Sequence, residues 1–319
     1  MTTRFTDPVR FTDPVRTVIP HTLARHLADA CDDSVEGHTW SARNIAAARA
    51  IWAEDTAGAV PAALGRHTSR TEPDARGWTV LALPARMDDA TLMRVAAAAL
   101  STLGAPFTSI DAGTGLWIGG ETRPDADAAS FGGTGAQGLH IDAPNVEHVP
   151  DYTALLVLRP DPAGGGASLI GDLRAALAET PECDRELLRR PVYFEGRADR
   201  LSGVGAPRLP FPILEHLDPG GRERVRWAAK AVTDPRNSAH RAVLKRFDAT
   251  LARHTRAVAL GRGQLMVCDQ TRIAHGRTAL GEQSGLADGT RRVLMQTKVA
   301  YDASAPAHNL HTAAGDRRG

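Results

Sequence analysis

The sequence predicts a mostly β domain, a β-barrel or jelly roll with helical additions. Short apolar runs recur between turn residues: GWTVLALP (77–84), TALLVLRPD (153–161), GQLMVCDQ (263–270) and RRVLMQTKVAYD (291–302). Only a few helical patterns flank them. No alternation of strands with long helices suggests a Rossmann sheet, and GxxxxGK[ST] does not occur.

Residues 5–16 read FTDPVRFTDPVR, a perfect tandem hexamer. One pair of repeats is too short for a solenoid, which needs about three stacked units. Asp-Pro favours a turn or extended chain, so residues 1–20 are expected to form a poorly ordered arm. Residues 21–319 read as one domain, with a jelly-roll core at roughly 77–302. SARNIAAARAIWAED (41–55) reads as a helix capped by Ser41. MDDATLMRVAAAALSTLG (87–104) reads as another, capped by Asp88 or Asp89 and stopped by Gly104. The Gly-, Asp- and Thr-rich stretch 109–138 reads as a long loop with short strand pieces, and loops of this length are often lids. A helix is expected from about Asp172 to Glu179. PVYFEG, FPILEH and RVRWAAKAV are short strand candidates. NSAHRAVLKRFDATLARHT (237–255) reads as a helix capped by Asn237 or Ser238.

Composition narrows the function classes. Apolar residues make up 42% and charged residues 24%, as in an ordinary globular protein, and the net charge is +1. No basic stripe argues for nucleic acid. Apolar runs such as VAAAAL are far below a membrane span. MTTRFTDPVR has no apolar run, so no signal peptide is expected. Cys31, Cys183 and Cys268 form neither a disulfide framework nor a zinc ribbon, which fits a reducing cytoplasm. Cys268, on its strand, reads as a small buried hydrophobe.

GLHIDAPNVEHVPD (138–151) holds two histidines, two aspartates and one glutamate. His140 and Asp142, separated by one apolar residue, could present two metal ligands on one side of a strand. With 12 His and 37 acidic residues in 319, composition alone yields about 1.4 His-x-Asp/Glu triplets. Two occur, so context decides between them. His216/Asp218 lies in EHLDPGG, which reads as an exposed turn. His140 lies between a Gly-rich loop and a buried strand. His148, beside Val149 and Pro150, reads as a loop histidine. A two-His, one-carboxylate Fe(II) site needs one more His and leaves open positions for co-substrate and O2. His275, in AHGR after a strand, is the candidate.

The ordered combination LHIDAPNVEHVPDYTALLVLRPDPAGGGASLIGDL, GQLMVCDQTRIAHGRTAL and DGTRRVLMQTKVAYD resembles the clavaminate synthase-like, taurine dioxygenase-related family of Fe(II)/2-oxoglutarate dioxygenases. The resemblance covers about 138–302, and the helical N-terminal part more weakly. It implies a double-stranded β-helix, a jelly-roll barrel, in agreement with the strand reading. It implies His140, Asp142 and His275 as iron ligands, and Arg292 as the grip on the distal carboxylate of 2-oxoglutarate. Ser168 stands where the family usually has a Thr touching the same carboxylate. Arg291 is the lesser anchor, because neighbouring residues on a strand point to opposite faces. The implied cofactors are Fe(II), 2-oxoglutarate and O2. The implied reaction hydroxylates an unactivated C–H bond with release of succinate and CO2; desaturation or cyclisation are variants. The related halogenases have a small residue where this chain keeps Asp142, which argues against halogenation.

The resemblance also bears on the substrate. Gln296 stands where arginine hydroxylases of the branch hold the substrate carboxylate with a second arginine. Trp227, Ala228, Ala229 and Lys230 stand where those enzymes carry acids for the guanidinium. This implies a neutral or masked amino-acid derivative from natural-product metabolism, with Gln296, Trp227 and Lys230 as candidate substrate residues. An anionic group near Lys230, such as a nucleotide phosphate, is the second choice. A jelly-roll metal hydrolase and a non-enzymatic binding protein are the competing classes. A serine hydrolase is disfavoured, since GGASLIG is not the nucleophile elbow. The only partner expected is a small molecule, with no nucleic acid or membrane; the oligomeric state stays open.

Overall fold

The computed structural model describes residues 10–11, 16–55, 57–68, 75–108, 115–128, 130–195, 210–216, 223–302 and 304–306. Two sheets face each other. The larger runs, strand beside strand, Arg16–Val18, Trp78–Ala82, Gln264–Asp269, Tyr152–Arg159, Val293–Tyr301, Gly104–Phe107, Thr39–Trp40 and Val35–Glu36. Ile118–Glu121 also pairs with Val293–Tyr301. The smaller runs Arg10–Phe11, Thr255–Val258, Ser168–Asp172, Ile273–Arg277 and Gln137–His140. The chain crosses between sheets repeatedly, as where Gln264–Asp269 in the larger is followed by Ile273–Arg277 in the smaller. That crossing is the jelly-roll pattern the sequence predicts.

Why the central strands read as nearly continuous apolar runs is now clear: both of their faces are buried. In Tyr152–Arg159, Leu155 and Val157 join a core between the sheets, while Ala154, Leu156 and Leu158 join a core outside the larger sheet. Gln264–Asp269 does the same, with Met266 and Cys268 inward and Leu265 and Val267 outward. Cys268 is thus a buried apolar-type residue. The outer core of the larger sheet is completed by the helices His21–Ala30, Ala42–Glu54, Ala59–Thr68 and Asp89–Leu100. A second outer core, behind the smaller sheet, is built on Leu173 and Ala176 and on Val243, Leu244, Phe247 and Leu251 of the helix Arg241–Arg253.

Caps follow the sequence at two helices, and Asp172 caps a third. Ser41 accepts from Asn44 N, Asp88 from Thr91 N and Asp172 from Ala175 N. The helix expected at 237–255 begins differently. A 3-10 turn, Pro235–His240, precedes Arg241–Arg253, and Asp234 caps it. Asn237 is buried instead and holds Phe194 N, Phe194 O and Ala231 O. The strand expected across RVRWAAKAV is only Glu223–Val225; Lys230–Thr233 is helical. From the hexamer repeat, Arg10–Phe11 pairs with Thr255–Val258, and Arg16 begins a strand beside Trp78–Ala82. These residues pair at sheet edges; the rest of the repeat lies outside the described residues. Among the described residues no helix is long and apolar enough to cross a membrane.

Candidate metal centre and co-substrate pocket

The strand Gln137–His140 pairs antiparallel with Ile273–Arg277, with His140 directly opposite His275. Opposed residues share a face, and the two imidazole centroids lie 4.5 Å apart. Ile141 is fully buried in the outer core. That turns His140 and Asp142, on either side of it, inward. The other edge of the segment is tied by Ile141 N donating to Trp227 O (2.8 Å) and Ala229 N to Leu139 O (2.9 Å). Asp142 N donates to the Gln270 amide oxygen, and Gln270 Nε2 donates to Pro150 O at 2.9 Å. Ala143 then takes a left-handed φ of 50°, alone among the described non-glycine residues. It turns the chain sharply just after the carboxylate.

The result is a cluster of one ligand atom each from His140, Asp142 and His275, all within 4.8 Å of one another. His140 Nδ1 lies 2.9 Å from Gly138 O and can donate to it; that tautomer leaves the Nε2 lone pair for a metal. Burial and the adjacent His275 ring push His140 down to about 4, despite Asp142 and Gly138 O. It is therefore a neutral imidazole at neutral pH, the form that ligates. Burial acts to raise the Asp142 carboxyl, but Lys298 and the two histidines outweigh it and hold it well below the usual carboxylate range. His275 Nε2 is 3.6 Å from Asp142 Oδ1, while its buried Nδ1 has no hydrogen-bond partner among the described residues. Two imidazoles and one carboxylate, on neighbouring strand ends, fit the ligand set of a three-ligand Fe(II) site.

A second polar group lies along the same interior. Ser168 stands opposite Arg277 in the register, on the face that carries His275. Arg292 is 4% exposed, and its Nη1 is buried without a hydrogen-bond partner among the described residues. Burial, then the neighbouring Arg277, lower its guanidinium to about 10, partly offset by Asp161. It stays protonated at neutral pH. Gly166, with φ of 70°, lets Arg292 approach: a Cβ there would stand 2.5 Å from Leu280 Cδ2 and 3.3 Å from Arg292 Nε. Arg277 spends its own Nη groups on the carbonyls of Phe131, Gly133 and Gly135. Arg291 points elsewhere, pairing with Asp288 at 2.6 Å and donating to Leu286 O.

The remaining candidates separate. Gln296 joins the cluster, with Nε2 at 3.3 and 3.2 Å from the two Asp142 oxygens. Trp227 does not: it is fully buried in the outer core, its ring 4.9 Å from Phe247. Lys230 is exposed at the start of the helix Lys230–Thr233. His148 is exposed, and His216 is the exposed end of a short strand, paired with Glu223; Asp218 lies outside the described residues. Two residues of the site escaped the sequence reading, Lys298 and Gln270. Lys298 left a signal: in VLMQTKV, Leu294, Gln296 and Lys298 alternate on one face of a buried strand. A charge at such a position needs a partner.

The fold and this cluster define a jelly-roll protein with a two-His, one-carboxylate centre. Residues 74–297 match the model of the Taurine catabolism dioxygenase TauD, TfdA family, and the chain belongs to that family. It is 31% identical over 158 residues to the L-asparagine oxygenase of Streptomyces coelicolor (strain ATCC BAA-471 / A3(2) / M145), a match covering 49% of this chain and 45% of that protein. The chain thus covers less than half of that curated relative. Among solved structures it is similar to asparagine oxygenase in complex with Fe(II), 2S,3S-3-hydroxyasparagine and succinate. There the TM-score is 0.68 at 21% identity, over 89% of this chain and 93% of that one. It is also similar to the non-heme iron oxygenase OrfP in complex with Fe and alpha-ketoglutaric acid, with TM-score 0.65 at 16% identity, over 91% and 94% of the two chains.

Proposed function

We propose that this protein is an Fe(II)- and 2-oxoglutarate-dependent oxygenase that hydroxylates an unactivated C–H bond of an amino-acid-derived small molecule. The observation that carries the proposal is one interior holding both a His140–Asp142–His275 cluster and a buried arginine, Arg292, with an unpartnered Nη1. A hydrolase needs the first but has no use for the second. Iron held by the triad would supply the dioxygen chemistry that couples decarboxylation of 2-oxoglutarate to hydroxylation. Arg292 would grip the distal carboxylate, and a guanidinium suits this because its fork matches a carboxylate. Ser168, on the same interior, would add a hydroxyl contact. Asp142 fills the position at which the related halogenases are small.

For the substrate, the reading is a neutral or masked amino-acid derivative, such as an amide, a cyclic dipeptide or a carrier-tethered residue. Gln296, the counterpart of the carboxylate-holding arginine, has its amide turned onto Asp142 and offers no cation. The relatives named for asparagine make its side-chain amide the closest simple comparison. The test is substrate-dependent succinate release, with Fe(II), 2-oxoglutarate and O2, across free L-arginine, L-lysine, L-asparagine, amides, cyclic dipeptides and nucleotides. Strong stimulation by amides or cyclic dipeptides is expected. Efficient hydroxylation of free L-arginine or L-lysine overturns the substrate reading. No succinate with any of these, or without substrate, overturns the oxygenase reading.

A further inference from the structure

Lys298 lies where a strand buried on both faces ordinarily carries an apolar residue. It is 2% exposed, and it stands opposite Thr153 on the neighbouring strand. Its Nζ is 2.7 Å from Asp142 Oδ2 and 3.5 Å from Thr153 Oγ1. The other carboxylate oxygen, Oδ1, is the one 3.6 Å from His275 Nε2. The two oxygens therefore have different neighbours: Oδ1 faces the His275 imidazole and Oδ2 faces the ammonium. Gln296 Nε2 touches both oxygens and also lies 3.2 Å from Thr153 Oγ1.

We propose that Lys298 is a positioning residue that sets the charge of the metal centre: its ammonium holds Asp142 Oδ2, leaves Oδ1 as the single ligating oxygen, and competes with the divalent cation for the carboxylate. The proposal rests on the metal reading given above. A buried ion pair is seldom better for stability than well-packed apolar groups of similar volume, so fold stability alone does not account for a lysine here. Its electrostatic effect is definite. Two neutral imidazoles, one carboxylate and a divalent ion leave one positive charge in excess; with the ammonium there are two. In a dry interior such charges act strongly on one another. The centre loses affinity for the cation and gains affinity for an anionic ligand such as the keto-acid end of 2-oxoglutarate.

The experiment measures Mn(II) binding to the purified full chain by chelator competition, then 2-oxoglutarate binding to the Mn(II)-loaded protein, without turnover. Lys298→Met removes the charge at similar length, and Lys298→Arg keeps it. Lys298→Met is expected to bind Mn(II) about tenfold more tightly and 2-oxoglutarate several-fold more weakly, with Lys298→Arg within about threefold of the parent in both. A lysine with a merely structural role gives the opposite sign, because a disordered carboxylate binds Mn(II) more weakly. Should Lys298→Met fail to fold, Lys298→Gln keeps a hydrogen bond without the charge and is read by the same criterion. If the parent binds Mn(II), His140→Ala does not, and the neutral variant binds Mn(II) no more tightly than the parent, the inference is overturned and the triad stands. A parent that binds Mn(II) no better than His140→Ala overturns both.

Discussion

The interior between the sheets has two polar regions, and they are balanced differently. At the triad the charges answer one another: Asp142 is held by Lys298 and Gln296 and flanked by two imidazoles. Around Arg292 they do not. Arg277 is nearby, Arg292 Nη1 has no partner among the described residues, and the acid that acts on both guanidiniums is Asp161. Asp161 is itself committed to Ala163 N, Gly165 N, Gly281 N and Gln283 Nε2. A buried cation left short of counter-charge is costly unless something anionic completes it. On the proposed function the two regions have different tasks: the triad would supply the ligands of the metal, and Arg292 would supply a positive charge for the co-substrate's carboxylate.

The triad should be the more brittle region. His140→Ala and His275→Ala are each expected to abolish substrate-dependent succinate release while circular dichroism stays native. Full activity in either variant would remove that residue from the ligand set. His216→Ala, on an exposed strand end, should leave metal binding unchanged.

The arginine region should fail by degrees. Losing a charge-assisted hydrogen bond costs roughly 1.5–3 kcal/mol, so Arg292→Ala should raise the KM for 2-oxoglutarate about tenfold or more. Arg291→Ala should do much less, since its partner Asp288 is 94% exposed and such pairs contribute about 0–1 kcal/mol. Steady-state kinetics with 2-oxoglutarate varied will rank the two, and the reverse ranking would assign the pocket to Arg291.

Asp161 tests whether the arginine region leans on its loops. Asp161→Ala leaves buried donors unsatisfied, which costs roughly 1–3 kcal/mol each way it is counted. Denaturant melts should show lower stability together with weaker 2-oxoglutarate binding. Lower stability with unchanged binding would confine Asp161 to the fold.

The smallest effect is expected away from both regions, at Asp248 on the outer helix Arg241–Arg253. Burial raises its carboxyl from 3.8 to about 6. Below pH 3.8 the acid is protonated folded and unfolded, and costs nothing; above about 6 the folded state carries a charge its surroundings disfavour. Asp248→Asn should therefore stabilise the protein at neutral pH by on the order of 1 kcal/mol. The gain should fade as pH drops from about 6 through 3.8. Thermal melts of the pair that keep a constant offset from pH 8 to pH 3 would contradict this.

Much of this was legible in the chain itself. Apolar runs between turn residues give the strands, since a strand buried on both faces cannot carry polar side chains freely, and Ser41 and Asp88 announce their helices by cap chemistry. The short spacing of His140 and Asp142 states that both can point inward across a buried Ile141. What the sequence could not state was everything that depends on register between distant strands. His275 meets His140 only because Ile273–Arg277 pairs beside Gln137–His140, across 135 residues of chain whose pairing no local pattern encodes. The same holds for Gln296, legible as a pocket residue but turned by its pairing onto Asp142, and for Trp227, whose segment runs beside His140 while its ring packs outward against Phe247. Lys298 and Asp142 are 156 residues apart and meet at 2.7 Å. Local propensity and alternation determine which face a residue takes; only the packing of two sheets determines what it finds there.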